Sequence, residues 1–226
     1  MQQKAIIVFI RSPGGARVKS RLAESIGDER AQVLYRFFVE DLLDTVVRQD
    51  ARLRVYYEPS DAKEDIARWL GDGYALFPQR GEDLGAKMRQ AFEETFEQGY
   101  HSALLIGSDV PDLPDDVFRE GFGALPGHDA VLGPSMDGGY YLVGFRDETF
   151  RPEIFEGIPW STNMVFQKTL EIFISLGDAV HILPVWRDID VVEDLKALMH
   201  RHGESPFRHS RTLRYLLNQK DFIRQD

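Results

Sequence analysis

Leu104-Leu105-Ile106-Gly107-Ser108-Asp109-Val110-Pro111-Asp112-Leu113 is the segment on which the fold turns. Its apolar run does not alternate with polar residues, the pattern of a strand covered on both faces in a parallel, helix-flanked sheet. The run gives way to Gly107, Ser108 and Asp109 ahead of Pro111, so Asp109 stands at the strand's C-terminal end. Ligands of open α/β sheets bind along that edge. A carboxylate there can hold Mg²⁺ or Mn²⁺ and leave coordination positions for water and phosphate oxygens. The same residue also suits an Asx turn before a proline.

Outward from this segment, further strand-like runs lie at 5–10, 53–57, 74–77, 130–132, 140–145 and 180–185. Between them are helical patterns. In the clearest, at 29–48, Val33, Leu34, Phe37, Phe38, Leu42 and Val46 recur at helical spacing. Others span 62–70, 84–98, 114–124, 162–176 and 192–200. The alternation predicts right-handed βαβ units and a three-layer, doubly wound α/β fold with a mainly parallel sheet. A single domain over 1–226 is expected, with a substrate-binding insertion where 133–160 breaks the rhythm.

Composition narrows the function classes. The 226 residues carry a formal net charge of -10, which argues against a general nucleic-acid binder. No apolar run reaches the roughly 18 positions of a membrane helix, and the N-terminal segment reads as a first strand rather than a signal peptide. A cytoplasmic protein is expected, with self-association left open. There are no cysteines, so disulfides and thiolate chemistry are excluded, and any metal must sit on oxygen or histidine. The six histidines show no ligand spacing. The basic stretch at 201–214 reads as a solvated helix face.

Against this acidic background, Arg11-Ser12-Pro13-Gly14-Gly15-Ala16-Arg17-Val18-Lys19-Ser20-Arg21 follows the first strand. Free N–H groups at a small-residue turn, with cations beside them, favour a phosphate, although neither the P-loop nor the dinucleotide fingerprint is present. A turn with exposed cations is the competing reading. Gly133-Pro134-Ser135-Met136-Asp137-Gly138-Gly139-Tyr140-Tyr141 joins a flexible turn to a carboxylate and two aromatics, suited to close ligand approach or to a hairpin. Asp188 and Asp190 fall on one side of an extended segment. Asp190 with Glu193 also matches a helix-capping pattern.

Taken in order, these motifs resemble the small bacterial GT-A-type family of glycosyltransferase-like proteins, relatives of the molybdenum-cofactor and phospholactate guanylyltransferases. The resemblance covers nearly the whole chain. It rests on Val18-Lys19-Ser20-Arg21-Leu22, Gln79-Arg80-Gly81-Glu82-Asp83-Leu84-Gly85, Ser108-Asp109-Val110-Pro111, Asp137-Gly138-Gly139-Tyr140-Tyr141, Pro159-Trp160-Ser161-Thr162 and Asp188-Ile189-Asp190. It implies a GT-A fold in which the first loop meets nucleotide phosphates and the aspartate after the central strand binds Mg²⁺ or Mn²⁺. The implied nucleotide-binding residues are Arg11, Gly14, Gly15, Lys19, Arg21 and Ser108, and the metal ligands Asp109 and Asp190. Asp137 is the candidate catalytic residue, with Gly138, Gly139, Tyr140 and Trp160 toward the sugar or acceptor. One departure stands out: the family loop reads Pro-x-Pro-Gly where this chain has Gly15 and Ala16 in the matching places.

The expected activity is metal-dependent transfer of a glycosyl group from a nucleotide-diphospho-sugar. One alternative is a nucleotidyltransferase joining a nucleoside triphosphate to a phosphorylated acceptor. The other is a nucleotide-binding module without turnover.

Overall fold

The computed structural model describes residues 3–14, 18–202 and 204–219. Seven strands form one sheet: β1 (Lys4–Arg11), β2 (Arg52–Glu58), β3 (Leu76–Pro78), β4 (Ser102–Gly107), β5 (Ala130–Pro134), β6 (Tyr140–Arg146) and β7 (Val180–Ile182). Their order is β3-β2-β1-β4-β6-β5-β7. All neighbours are parallel except β6, which runs antiparallel to both β4 and β5. Each expected strand is present with its ends moved by a few residues. The third, expected at 74–77, forms only over Leu76–Pro78.

The described helices are α1 (Ser20–Ile26), α2 (Asp28–Val46), α3 (Lys63–Leu70), α4 (Leu84–Glu97), α5 (Asp115–Ala124), α6 (Val165–Leu176), α7 (Val192–His202) and α8 (Arg211–Asn218). The non-alternating pattern of β1 follows from burial on both faces. Ile6, Val8 and Ile10 enter one core with residues of α2, α3 and α5, while Ala5, Ile7 and Phe9 enter a second with residues of α4 and α6. A third cluster packs α1, α2, α7 and α8 together through residues such as Leu22, Phe38, Leu195 and Leu213. The hydrophobic effect thereby holds three layers, helix–sheet–helix, in register.

Register decides where the chemistry lies. β1, β2, β4, β5 and β7 point the same way. Their C-terminal ends, and the turn from β5 into antiparallel β6, therefore share one sheet edge. The loops there carry 11–14, 108–113, 135–139 and 183–190. In the 201–214 stretch Arg201, Arg208, His209, Arg211 and Arg214 are exposed, as a solvated face requires, and two of them are also tied down. Arg201 pairs with Asp112, and Arg211 with Glu40, Asp41 and Asp44, while Asp41 accepts the Arg211 and Thr212 N–H groups at the start of α8.

Candidate functional site

Lys19, Asp109 and Asp190 come together at this edge. The Lys19 Nζ donates to Asp190 Oδ1 at 2.7 Å and lies 2.8 Å from Asp109 Oδ1. Its side chain is 5% exposed, against 44% for Asp109 and 37% for Asp190. A backbone bond of 2.9 Å from Ile189 N–H to the Asp109 carbonyl ties the two aspartate-bearing loops directly. Burial by itself would depress the Lys19 pKa, but the two carboxylates outweigh it and hold the amine above the ordinary lysine value. Burial likewise favours protonated Asp190, yet the Lys19 charge and hydrogen bond, with Arg21 nearby, carry its pKa below the usual carboxylate range. Asp188 goes the other way, pushed up to about 6 by burial first and then by the charges of Asp137 and Asp190.

Lys19 reaches this position from a left-handed backbone, φ 51° and ψ 51°, just before α1. A non-glycine residue pays about 1–2 kcal/mol for that conformation, and here it turns the amine toward the carboxylates. With only 7 residues, α1 contributes little dipole. Arg21 is exposed nearby. The capping role expected of Asp190 falls to Asp194, whose Oδ2 accepts the N–H groups of Asp190 and Val191 at 3.0 Å each. The Asp190 carboxylate faces Lys19.

Ser108 is buried, with its hydroxyl 3.1 Å from the Tyr35 hydroxyl, which in turn accepts the Arg11 N–H at 2.7 Å. Burial first, and then the Asp109 charge, push the Tyr35 pKa up to about 12. The Arg11 guanidinium is 62% exposed and lies 3.8 Å from Glu58. Gly14 is exposed, whereas Gly15 lies outside the described residues.

In the β5–β6 turn, Asp137 Oδ1 accepts both the Ser135 hydroxyl and the Gly139 N–H, the latter at 2.8 Å. One Asp137 oxygen is therefore spent on holding the turn. Gly138 has φ 91°, and a Cβ there would stand 2.2 Å from the Asn163 carbonyl oxygen, so only glycine fits. The Tyr140 hydroxyl is buried next to Thr169 without a hydrogen-bond partner, and burial raises its pKa. Its ring meets Trp160 edge-on, centroids 6.4 Å apart. With its hydroxyl buried, Tyr140 has only its ring to offer a ligand. Trp160 packs so closely on Gly85 that a Cβ at 85 would be 2.7 Å from the indole.

Among the described residues no three histidine or carboxylate side chains form a complete metal site. Two carboxylates from separate loops nevertheless converge on one cationic group, the donor chemistry that a hard divalent ion requires. Asp112, Trp186, Arg201 and His202, which the sequence reading passed over as functional residues, form a connected group behind this pair.

The family model of uncharacterized proteins conserved in bacteria, DUF2064, matches residues 42–162. No curated protein matches the sequence. The chain is similar to the crystal structure of a proposed nucleotide-diphospho-sugar transferase from Desulfovibrio desulfuricans G20. Identity is 39%, with 100% of this chain and 98% of that chain covered, and a TM-score of 0.96. It shares its fold with the 4-diphosphocytidyl-2C-methyl-D-erythritol synthase of Anaerococcus prevotii DSM 20548, at 13% identity, 90% and 97% coverage and a TM-score of 0.59. The manganese complex of Rv0371c from Mycobacterium tuberculosis H37Rv shares it too, at 16% identity, 88% and 99% coverage and a TM-score of 0.55.

Proposed function

We propose that this chain, which belongs to the DUF2064 family of uncharacterized proteins conserved in bacteria, is a transferase that uses a nucleotide-diphospho-sugar as glycosyl donor. The observation that carries the reading is the convergence of Asp109 and Asp190 on the Lys19 ammonium at the ligand-binding edge of the sheet. Its agreement with the name given to the Desulfovibrio protein, which aligns along the whole chain, supports the donor class.

Asp109 and Asp190 are the residues that would hold Mg²⁺ or Mn²⁺, and manganese in the fold-sharing Rv0371c complex accords with that choice. A bound divalent ion supplies charge neutralisation to the diphosphate as the sugar bond breaks. The chain's own groups do the rest. Lys19 and Arg21 bring positive charge to the phosphates beside Ser108, Arg11 and Gly14. The Asp137 carboxylate, at the turn between β5 and β6, would face the transferred group, received between Gly138, Gly139 and the rings of Tyr140 and Trp160.

Nucleotidyl transfer is the second reading. It is favoured by the Lys19 amine standing 2.8 Å from Asp109, where it would neutralise charge at an attacked α-phosphorus. Supplying the protein and Mn²⁺ with nucleotide-diphospho-sugars together with a panel of hydroxyl-bearing and phosphorylated acceptors to receive the sugar, and separately with nucleoside triphosphates plus sugar phosphates, separates the two. Release of nucleoside diphosphate supports glycosyl transfer. Release of pyrophosphate alone replaces it with the second reading, and release of neither refutes both.

A further inference from the structure

Behind the carboxylate pair lies a buried charge that the proposed reaction does not use. Asp112 follows Asp109 on the same loop, and its side chain is 0% exposed. Oδ1 accepts the Trp186 indole N–H at 3.0 Å. Oδ2 lies 2.7 Å from both the His202 Nε2 and the Arg201 guanidinium, on the last turn of α7. The opposite nitrogen of His202 meets the Ser205 hydroxyl at 2.8 Å, and the Arg201 guanidinium lies over the Trp186 ring, 5.1 Å from its centroid. A buried carboxylate without partners costs several kcal/mol, so this geometry is specified on every side.

Trp186 is what makes the arrangement more than an anchor for α7. Its backbone N–H donates to the Pro134 carbonyl at 3.0 Å, and its own carbonyl accepts the Met136 N–H at 3.1 Å. Trp186 thus pins the 183–190 segment to the β5–β6 turn that carries Asp137. Through its indole it pins the same segment to the loop that carries Asp109. Three acidic loops from three strand ends are cross-tied at one indole and one carboxylate, with the Ile189 to Asp109 bond closing the circuit.

We infer that Asp112 is a positioning residue: by holding Trp186 it sets the separation between Asp109 and Asp190, and so the affinity of that pair for a divalent cation. The inference rests on the reading of Asp109 and Asp190 as cation ligands. An anchor that served stability alone would tie α7 to the sheet without touching the segment that bears Asp190. Here one carboxylate does both, and its two oxygens divide the tasks. Oδ1 fixes the loops through Trp186, while Oδ2 fixes α7 through His202 and Arg201.

That division allows a test in which stability and positioning come apart. Mn²⁺ binding to the intact chain is followed by the loss of the free-ion electron paramagnetic resonance signal, well below each variant's melting temperature. Asp112→Leu, which removes the acceptor of the indole N–H, and Trp186→Phe, which keeps an aromatic ring but no N–H, are expected to bind Mn²⁺ at least fivefold more weakly than wild type. His202→Leu, which leaves Asp112 Oδ1 and Trp186 in place, is expected to lower the melting temperature and leave Mn²⁺ affinity within twofold. If Asp112→Leu does not fold, Trp186→Phe decides. Wild-type Mn²⁺ affinity in a folded Asp112→Leu or Trp186→Phe protein overturns the inference while leaving the cation site in place. Wild-type protein that binds no Mn²⁺, or an Asp109→Asn variant that binds it normally, overturns the cation-site reading and this inference with it.

Discussion

Replacing Lys19 with methionine keeps an unbranched side chain, one atom shorter, and removes its charge. The wild-type amine is buried and bonded to two carboxylates at 2.7 and 2.8 Å. Two fully buried charge-assisted bonds would be worth about 1.5–3 kcal/mol each, and an exposed ion pair no more than about 1 kcal/mol. Both carboxylates are more than a third exposed, so water recovers much of the loss, and the net cost falls at about 1–3 kcal/mol. For a chain of this size that lowers the melting temperature by about 2–12 °C. Divalent ions then act unequally on the two proteins. In wild type Mn²⁺ competes with the amine for Asp109 and Asp190, whereas in Lys19→Met it meets a bare acidic pair, so Mn²⁺ raises the variant's melting temperature more than the wild type's. Nucleotide affinity falls by about 1.5–3 kcal/mol, roughly 10- to 150-fold, where the amine would have met a phosphate. Scanning fluorimetry with and without Mn²⁺, followed by calorimetric titration of nucleotide, measures all three effects. An unchanged melting temperature together with unchanged nucleotide affinity would refute the assignment of Lys19.

Asp190→Asn leaves the start of α7 intact, because the bonds there come from Asp194. Its apo stability should change by no more than about 1 kcal/mol while Mn²⁺-dependent nucleotide binding weakens at least tenfold, and calorimetry in Mn²⁺ and in chelator reads both. Gly138→Ala places a Cβ 2.2 Å from the Asn163 carbonyl at φ 91°, which should cost about 1–3 kcal/mol in urea unfolding; a wild-type midpoint would show that the turn relaxes freely. Tyr35→Phe removes the acceptor of the Arg11 N–H and the neighbour of Ser108, at an expected cost of about 1–3 kcal/mol. The same variant has a pH signature. With its pKa raised from 10.0 to about 12, the folded Tyr35 keeps a proton that the unfolded chain loses over that interval. Its contribution is complete below pH 10 and declines as pH rises, so Tyr35→Phe should lose less stability than wild type across that window, and parallel alkaline curves would remove the effect.

The layers were legible because burial leaves a period in the sequence. Ile6, Val8 and Ile10 against Ala5, Ile7 and Phe9 could only be a strand with a core on each side. Asp109 was legible for the same reason: the strand that ends at Gly107 delivers it to the edge. The pairing of Lys19 with both carboxylates was not, since it depends on a left-handed backbone at a residue that carries no glycine signal. The Asp112 group was hidden by distance along the chain. No local pattern brings Asp112 to Trp186 and His202, and it is Asp194 rather than Glu193 that bonds to the backbone at the start of α7. The turn at 137–139 read equally as hairpin and ligand loop. The structure shows the turn role, with Asp137 Oδ1 bonded within it.

The most direct measurement is the titration of nucleotide-diphospho-sugars into wild-type and Asp109→Asn protein, each with Mn²⁺ and with chelator. The account predicts binding by wild type that requires Mn²⁺, affinity for at least one nucleotide-diphospho-sugar above that for the matching triphosphate, and at least a tenfold loss in Asp109→Asn. Equal binding in chelator, or an Asp109→Asn affinity equal to wild type, would contradict it.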